Sequence, residues 1–168
     1  IRRLSAVAIS TPAADGWSEV SMAGARTTAR RSDGTLWAWG SNSHGAAMST
    51  PTQLGSATNW VKVRSTSANS SCAINDSGEL HCTVTAYAGA WPRALSRVGD
   101  TTDYVDVFDA LNGVCATKSD GSLACATWNG TGDAFVSATR NEWSVAEGAL
   151  SPDWQALSGA YDVRCALA

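Results

Sequence analysis

A pattern of residues that returns about every 45 positions constrains the fold of this chain more than any other feature. Each copy opens with Trp or Tyr, has Val or Leu three positions later, and reaches Ala, an Asp/Ser-Gly turn and Leu. The opening aromatic residue and turn glycine of the three full copies are Trp17 and Gly34, Trp60 and Gly78, and Tyr104 and Gly121. A fourth copy opens at Trp154. Such a constant spacing indicates an array of one small unit whose copies bury each other's apolar faces.

The glycine of each copy is predicted to close a three-residue hairpin loop, because glycine adopts the left-handed conformation of that loop without steric cost. With Asp76–Gly78 as the loop, Cys72 lies opposite Cys82 on the next strand. The same construction in the third copy places Cys115 opposite Cys125. Opposed residues of an antiparallel pair lie about 4.5–5.5 Å apart at Cα, which a disulfide tolerates. We therefore predict the disulfides Cys72–Cys82 and Cys115–Cys125.

Two other interpretations of the cysteines stay open on the sequence alone. A zinc site could use Cys72, His81 and Cys82, although consecutive residues of a strand point to opposite faces and suit a shared metal poorly. Reduced cysteines buried in the core are the other alternative, since free cysteine is commonly buried. Cys165 takes the position of Cys115 in the fourth copy, and we expect it to be a free thiol or to pair with a strand outside this sequence.

The composition favours an oxidising compartment, and it argues against binding to nucleic acid and against a membrane-spanning helix. Paired cysteines form in oxidising compartments, which favours a secreted, periplasmic or cell-surface protein. With 12 Lys plus Arg, 15 Asp plus Glu and a net charge of −3, the sequence offers no basic patch for nucleic acid. No stretch approaches the roughly 18 apolar residues of a transmembrane helix, so no membrane span is expected.

Tryptophan is abundant, with eight residues in the chain. Five of them fall in or beside the repeated strands: Trp17, Trp37, Trp39, Trp60 and Trp154. We expect these five in the core or between repeats, because a tryptophan buries a large apolar area. Helical periodicity is weak throughout, and the hairpin turns favour an all-β chain.

The first copy carries a motif that resembles a known family. Trp17 to Val20 and Gly24 are followed by Ala29–Gly40, which reads ARRSDGTLWAWG, and then by Asn42 and Gly45. This run resembles the regulator of chromosome condensation (RCC1-type) repeat, and the cysteine-bearing later copies look like those of secreted bacterial members. The resemblance implies an all-β fold of β-propeller blades. About three and a half four-stranded repeats would then form part of a roughly seven-bladed ring.

We expect one domain over residues 1–168, with repeats near 11–55, 56–99 and 100–150 and an incomplete fourth repeat at 151–168. Residues 134–150 lengthen the third repeat, and such insertions map to surface loops that often bind. The fourth repeat is expected to supply two strands, Trp154–Leu157 and Val163–Leu167. Because unpaired strand edges invite association, we expect further polypeptide, from the same chain or a second copy, to complete this repeat.

The repeats and the resemblance predict a non-enzymatic binding or assembly module that works outside the cytoplasm. Loops at the ends of propeller blades carry binding, and aromatic and Arg residues are the usual anchors of protein interfaces. The candidate partner-binding residues outside the repeat core are Trp91, Arg93, Trp128, Arg140 and Trp143. The expected partner is a protein or further propeller blades.

Two alternatives use the same residues. A carbohydrate-binding, lectin-like module would place exposed tryptophan faces beside polar groups, as in the segment Trp128–Thr131. A structural subunit of a larger extracellular assembly would need no ligand site. An enzyme is not predicted, because His44 and His81 are well separated in the repeat scheme and no nucleophile motif, phosphate loop or metal cluster occurs. We therefore assign no catalytic, cofactor-binding or metal-binding residue.

Overall fold

The described residues of the chain form antiparallel β-sheets and no helix. The computed structural model describes residues 16–41, 47–66, 70–83, 95–110, 113–128, 135–138, 156–160 and 163–167. The strands are β1 Trp17–Ala23, β2 Arg26–Arg31, β3 Leu36–Ser41, β4 Ala47–Gln53, β5 Trp60–Ser65, β6 Ser71–Asn75, β7 Leu80–Cys82, β8 Ser96–Arg97, β9 Tyr104–Ala110, β10 Gly113–Lys118, β11 Leu123–Trp128, β12 Phe135–Ala138, β13 Ala156–Ala160 and β14 Val163–Leu167.

The strands group into three four-stranded sheets and one hairpin. Blade 1 contains β1–β4, blade 2 contains β5–β8 and blade 3 contains β9–β12, and within each blade consecutive strands are hydrogen-bonded neighbours. The remaining hairpin pairs β13 with β14. The predicted all-β fold of successive four-stranded blades is confirmed.

The fourth repeat and the insertion differ in part from the sequence expectation. The predicted strand Val163–Leu167 is present as β14, whereas its partner begins at Ala156 and Trp154 lies outside the described residues. Residues 135–138 of the predicted insertion form β12, which pairs with β11 as the outer strand of blade 3. This segment is therefore partly a strand rather than a loop throughout.

The turn glycines adopt the left-handed conformation that the spacing predicts. Gly34, Gly78 and Gly121 have φ angles of 79°, 72° and 82°. In blade 2 the Asn75 N–H donates to the Glu79 carbonyl at 3.1 Å, and the Gly78 N–H donates to the Asn75 carbonyl at 3.0 Å. These bonds close the predicted three-residue loop.

The same glycines also join one blade to the next. The Gly34 carbonyl accepts a hydrogen bond from the Trp60 N–H at 3.3 Å, and the Gly78 carbonyl accepts one from the Tyr104 N–H at 3.1 Å. A Cβ atom at Gly78 would overlap the carbonyl of Thr102. Each of these two turns therefore holds the first residue of the following blade.

Cys72 and Cys82 form a disulfide with their Cα atoms 4.1 Å apart. The first predicted disulfide is therefore confirmed, and it excludes both the zinc and the reduced-thiol interpretation of this pair. Cys115 is also disulfide-bonded and lies opposite Cys125 in the strand register. Because the Cys125 side chain lies outside those the structure describes, the pair Cys115–Cys125 stays a prediction, and peptide mapping without reduction tests it.

The apolar core lies between the blades. One cluster joins blades 1 and 2, and its buried members are Leu36, Ala38, Leu54, Trp60, Val63 and Ala73. A second joins blades 2 and 3, and its buried members are Cys72, Ile74, Leu80, Cys82, Val107, Val114 and Ala116. Val63 and Val107 occupy equivalent positions on β5 and β9, and each packs against the preceding blade. Each blade therefore covers one face of the blade that follows.

Candidate functional surface

The face of blade 1 that corresponds to these covered faces is exposed. Val20 pairs with Ala29 as Val63 pairs with Ala73 and Val107 with Ala116. Yet Val20 is 52% exposed, whereas both of its counterparts are fully buried. Met22, two residues along the same strand, is 72% exposed. We call the set Trp17, Val20, Met22, Trp37 and Trp39 the blade-1 face.

Three tryptophans pack together on the blade-1 face. The Trp17 ring lies 6.2 Å from Trp37 in an edge-to-face arrangement and 5.5 Å from Trp39 in a tilted one, both measured between centroids. The first pair reproduces the edge-to-face contact between Trp60 and His81 at the same positions of blade 2. All three rings of the cluster are half-buried. The expectation of core or interblade packing is thus met by Trp60, whereas Trp17, Trp37 and Trp39 leave part of their surface open.

One end of the blade-1 face differs chemically from its counterpart in blade 2. The strand registers place Met22 and Trp39 beside Thr27, as Ser65 and Thr83 lie beside Ser71 in the next blade. Where blade 2 buries hydroxyl groups, blade 1 therefore presents a thioether and an indole. This end of the face suits an apolar partner.

The rim of the blade-1 face has a locally balanced charge. The Arg31 guanidinium lies 5.7 Å from the centroid of the Trp37 ring, and it lies 3.9 Å from the carboxylate of Asp33. The Trp37 indole N–H donates to the hydroxyl of Thr35 at 2.8 Å. Glu19 points the other way, toward blade 2. The centre of the face therefore consists of aromatic and aliphatic groups.

A polar network on the opposite side of β1 fixes blade 1 to blade 2. The Glu19 carboxylate accepts hydrogen bonds from the Val63 N–H at 3.0 Å and from the Arg64 guanidinium at 2.9 Å. Arg64 also lies 3.9 Å from Asp106 of blade 3. One cation therefore links carboxylates of the two flanking blades. Sequence reasoning missed this link, and the only signal available was a charged residue at matching positions of the repeats.

The titratable groups whose pKa is shifted lie in turns or at the ends of strands. Hydrogen bonds from Thr35 lower the pKa of Asp33, and those from Ser122 lower the pKa of Asp120. The pKa of Glu79 is lowered chiefly by the Asn75 side chain, with smaller contributions from His81 and Arg97. Burial lowers the pKa of Arg26 to about 10.

The described residues contain no group of three or more His, Cys, Asp or Glu that could hold a metal ion. They also form no helix of the length and hydropathy that a membrane crossing requires. Trp128 ends β11, and its side chain is not among those described. The other four predicted partner-binding residues, Trp91, Arg93, Arg140 and Trp143, lie outside the described part of the chain, so all five stay predictions.

Comparison with known proteins relates part of blade 1 to a known repeat family. Residues 20–46 match the family described as regulator of chromosome condensation (RCC1) repeat. The matched segment contains most of blade 1 and overlaps the motif from which the resemblance was inferred. Residues 20–46 therefore carry an RCC1-type repeat. No curated protein sequence matches it.

Solved structures show the same fold at low sequence identity. Yeast RCC1 (Prp20) bound to Kap60 matches with a TM-score of 0.64 and 12% identity over 95% of this chain and 43% of that one. Human WBSCR16 matches with a TM-score of 0.54 and 13% identity over 74% and 40% of the two chains. Prp20p from Saccharomyces cerevisiae, described with its binding to Gsp1p and histones, matches with a TM-score of 0.52 and 13% identity over 71% and 36%. The chain thus spans about two fifths of the length of these propeller proteins.

Proposed function

We propose that this chain is a non-enzymatic protein-binding or assembly module built from RCC1-type blades. The observation that carries the proposal is the exposed blade-1 face. In the two following blades the equivalent face is buried by protein, and large exposed apolar patches mark interaction sites. The structural neighbours include yeast RCC1 in complex with Kap60 and a Prp20p whose binding to Gsp1p and histones is described. These neighbours support a protein as the class of partner.

The proposed setting is outside the cytoplasm, and the Cys72–Cys82 disulfide supports it. Disulfides form and persist in secreted, periplasmic and cell-surface proteins and are rare where thioredoxin and glutathione keep thiols reduced. Alkylation of the protein in its native compartment tests this part of the proposal. Cys72 and Cys82 are expected to resist the reagent until a reductant is added, and free reaction of both would overturn the assignment.

The predicted partner-binding residues Trp91, Arg93, Trp128, Arg140 and Trp143 remain the proposed additional contacts, since aromatic and Arg side chains dominate binding energy in protein interfaces. The structure adds the blade-1 face to this set. No observation on the described residues favours the carbohydrate-binding alternative.

The binding proposal is tested by affinity capture from the extracellular fraction of the source, read by quantitative mass spectrometry. The full chain is compared with Met22→Glu, which puts a charge in the blade-1 face, and with Val105→Glu. Val105 is 50% exposed and lies outside that face, so its variant is the matched control. We expect at least one protein to be retained by the full chain and by Val105→Glu and lost with Met22→Glu. Identical capture by all three would overturn the role of the face.

A further inference from the structure

The disulfide between Cys72 and Cys82 lies inside the interface between blades 2 and 3. Both cysteines are fully buried, and they belong to the apolar cluster to which blade 3 contributes Val107, Val114 and Ala116. Thiol–disulfide exchange needs a thiolate to reach one of the two sulfur atoms. Because blade 3 covers the bond, a reducing thiol reaches it when the two blades separate.

The bond fastens a short strand within blade 2. β7 has three residues and its outer neighbour β8 has two, whereas the equivalent strands of blade 1, β3 and β4, have six and seven. At the equivalent positions of blade 1, Thr28 lies opposite Ala38 and no covalent bond joins the strands. Blade 2 therefore adds a covalent bond where blade 1 relies on longer strands.

β7 carries part of the surface that covers blade 3. Leu80 and Cys82 on β7, with Cys72 and Ile74 on β6, form the blade-2 side of the shared cluster. Reduction places two non-bonded sulfur atoms in the room of a bonded pair, and extra volume in a packed core is destabilising. Cleavage also removes the constraint that a closed loop places on the opened chain. Both effects favour movement of β7 away from blade 3.

We propose that the Cys72–Cys82 bond is a redox-sensitive latch, which holds blades 2 and 3 together and is opened by a dithiol. A thiolate of the dithiol attacks one cysteine sulfur, and the other cysteine leaves as a thiolate that takes up a proton. The second thiol of the reagent then displaces the first cysteine. Both cysteines end as thiols, and the dithiol is oxidised to its own disulfide. Separation of the blades admits the reductant, and reduction favours their separation.

Reduction of the folded 168-residue chain by dithiothreitol, followed by alkylation and peptide mass spectrometry at Cys72 and Cys82, tests the latch. Val107→Ala loosens the interface that covers the bond. Val63→Ala loosens the equivalent interface between blades 1 and 2, so it is the matched control. We expect Val107→Ala to speed reduction about tenfold or more, and Val63→Ala to change it by less than about twofold. Equal acceleration by the two variants, or none by Val107→Ala, would overturn the latch.

Amide hydrogen exchange of the oxidised and reduced chains measures what the latch controls. After reduction, exchange should become faster in β6, β7, β9 and β10 and stay unchanged in β2 and β3. Because dithiothreitol also acts on the disulfide of Cys115, the double variant Cys72→Ala, Cys82→Ala keeps that bond intact, and it should show the same pattern. Unchanged exchange in blades 2 and 3, faster exchange in every blade, or a change that requires cleavage of the Cys115 bond would each overturn the latch.

Discussion

Gly78 shows how a single residue serves both the turn inside a blade and the contact between two blades. Its φ of 72° lies in the left-handed region, and a Cβ atom would overlap the Thr102 carbonyl. Gly99 has a similar φ of 68° with open space around its Cβ position. Substituting alanine at each glycine therefore distinguishes two contributions to the loss of stability. Both variants are strained by the left-handed backbone, and only the Gly78 variant also overlaps a neighbouring carbonyl.

We predict that Gly78→Ala lowers the free energy of unfolding by more than Gly99→Ala. The Gly99 variant should lose about 1 kcal/mol for the left-handed conformation alone. The Gly78 variant should lose about 2–4 kcal/mol, because the linker between blades 2 and 3 must also move. Urea unfolding of both variants measures the difference. Equal losses would show that the turn does not hold the next blade.

The turn carboxylates make stability depend on pH in a defined direction. The folded chain lowers the pKa of Asp33 and Asp120 below their ordinary value of 3.8. A lowered pKa stabilises the folded state above the unfolded value, and this contribution is lost as the pH falls through the folded pKa.

We predict that stability falls as the pH drops from about 5 to 2, and that the double variant Asp33→Asn, Asp120→Asn loses less over this range. Asparagine keeps the acceptor oxygen for Thr35 and Ser122 but does not titrate. Urea unfolding at several pH values gives the slopes. Equal slopes for the two proteins would assign the acid sensitivity to other groups.

Strand β5 is bonded to the neighbouring blade along much of its length. Its residues Val63, Arg64 and Ser65 all bond to blade 1, through Glu19, Ser21 and Thr28. The Thr28 hydroxyl lies 2.6 Å from the hydroxyl of Ser71 on β6, and both residues are fully buried. A buried hydroxyl chain of this kind joins two sheets as one cooperative unit.

We predict that Thr28→Val lowers the free energy of unfolding by about 1–3 kcal/mol, because the hydroxyls of Ser65 and Ser71 each lose a buried partner. Adding Ser71→Ala should cost less in this background than in the native chain. A double-mutant cycle from urea unfolding measures that coupling. Losses that add within about 0.3–0.5 kcal/mol would contradict a shared network.

At the scale of the molecule, the features common to all repeats could be predicted from the sequence. The differences in exposure and contacts between one repeat and another could not. The turn glycines and the opposed Cys72 and Cys82 follow from local geometry, so their positions could be read from spacing. Val20, Val63 and Val107 share one pattern, yet the first is exposed because its surroundings differ, and no local pattern encodes that. The Glu19–Arg64 link joins residues 45 positions apart, and nothing in either segment identifies the other as its partner.

The proposed protein-binding function of the molecule rests on the blade-1 face. It corresponds to the faces that are covered in blades 2 and 3, its Trp17 packs against Trp37 and Trp39, and its Val20 and Met22 are exposed. Large exposed apolar patches of this kind mark interaction sites in proteins. The chain provides an internal comparison for testing this, because its two methionines are Met22 in the face and the half-buried Met48 on β4.

Oxidation by hydrogen peroxide, read at Met22 and Met48 by peptide mass spectrometry, tests the central claim most directly. Peroxide converts accessible methionine to its sulfoxide. Met22 is 72% exposed and should oxidise well ahead of the half-buried Met48. A Met22 that is oxidised more slowly than Met48 would contradict an open blade-1 face.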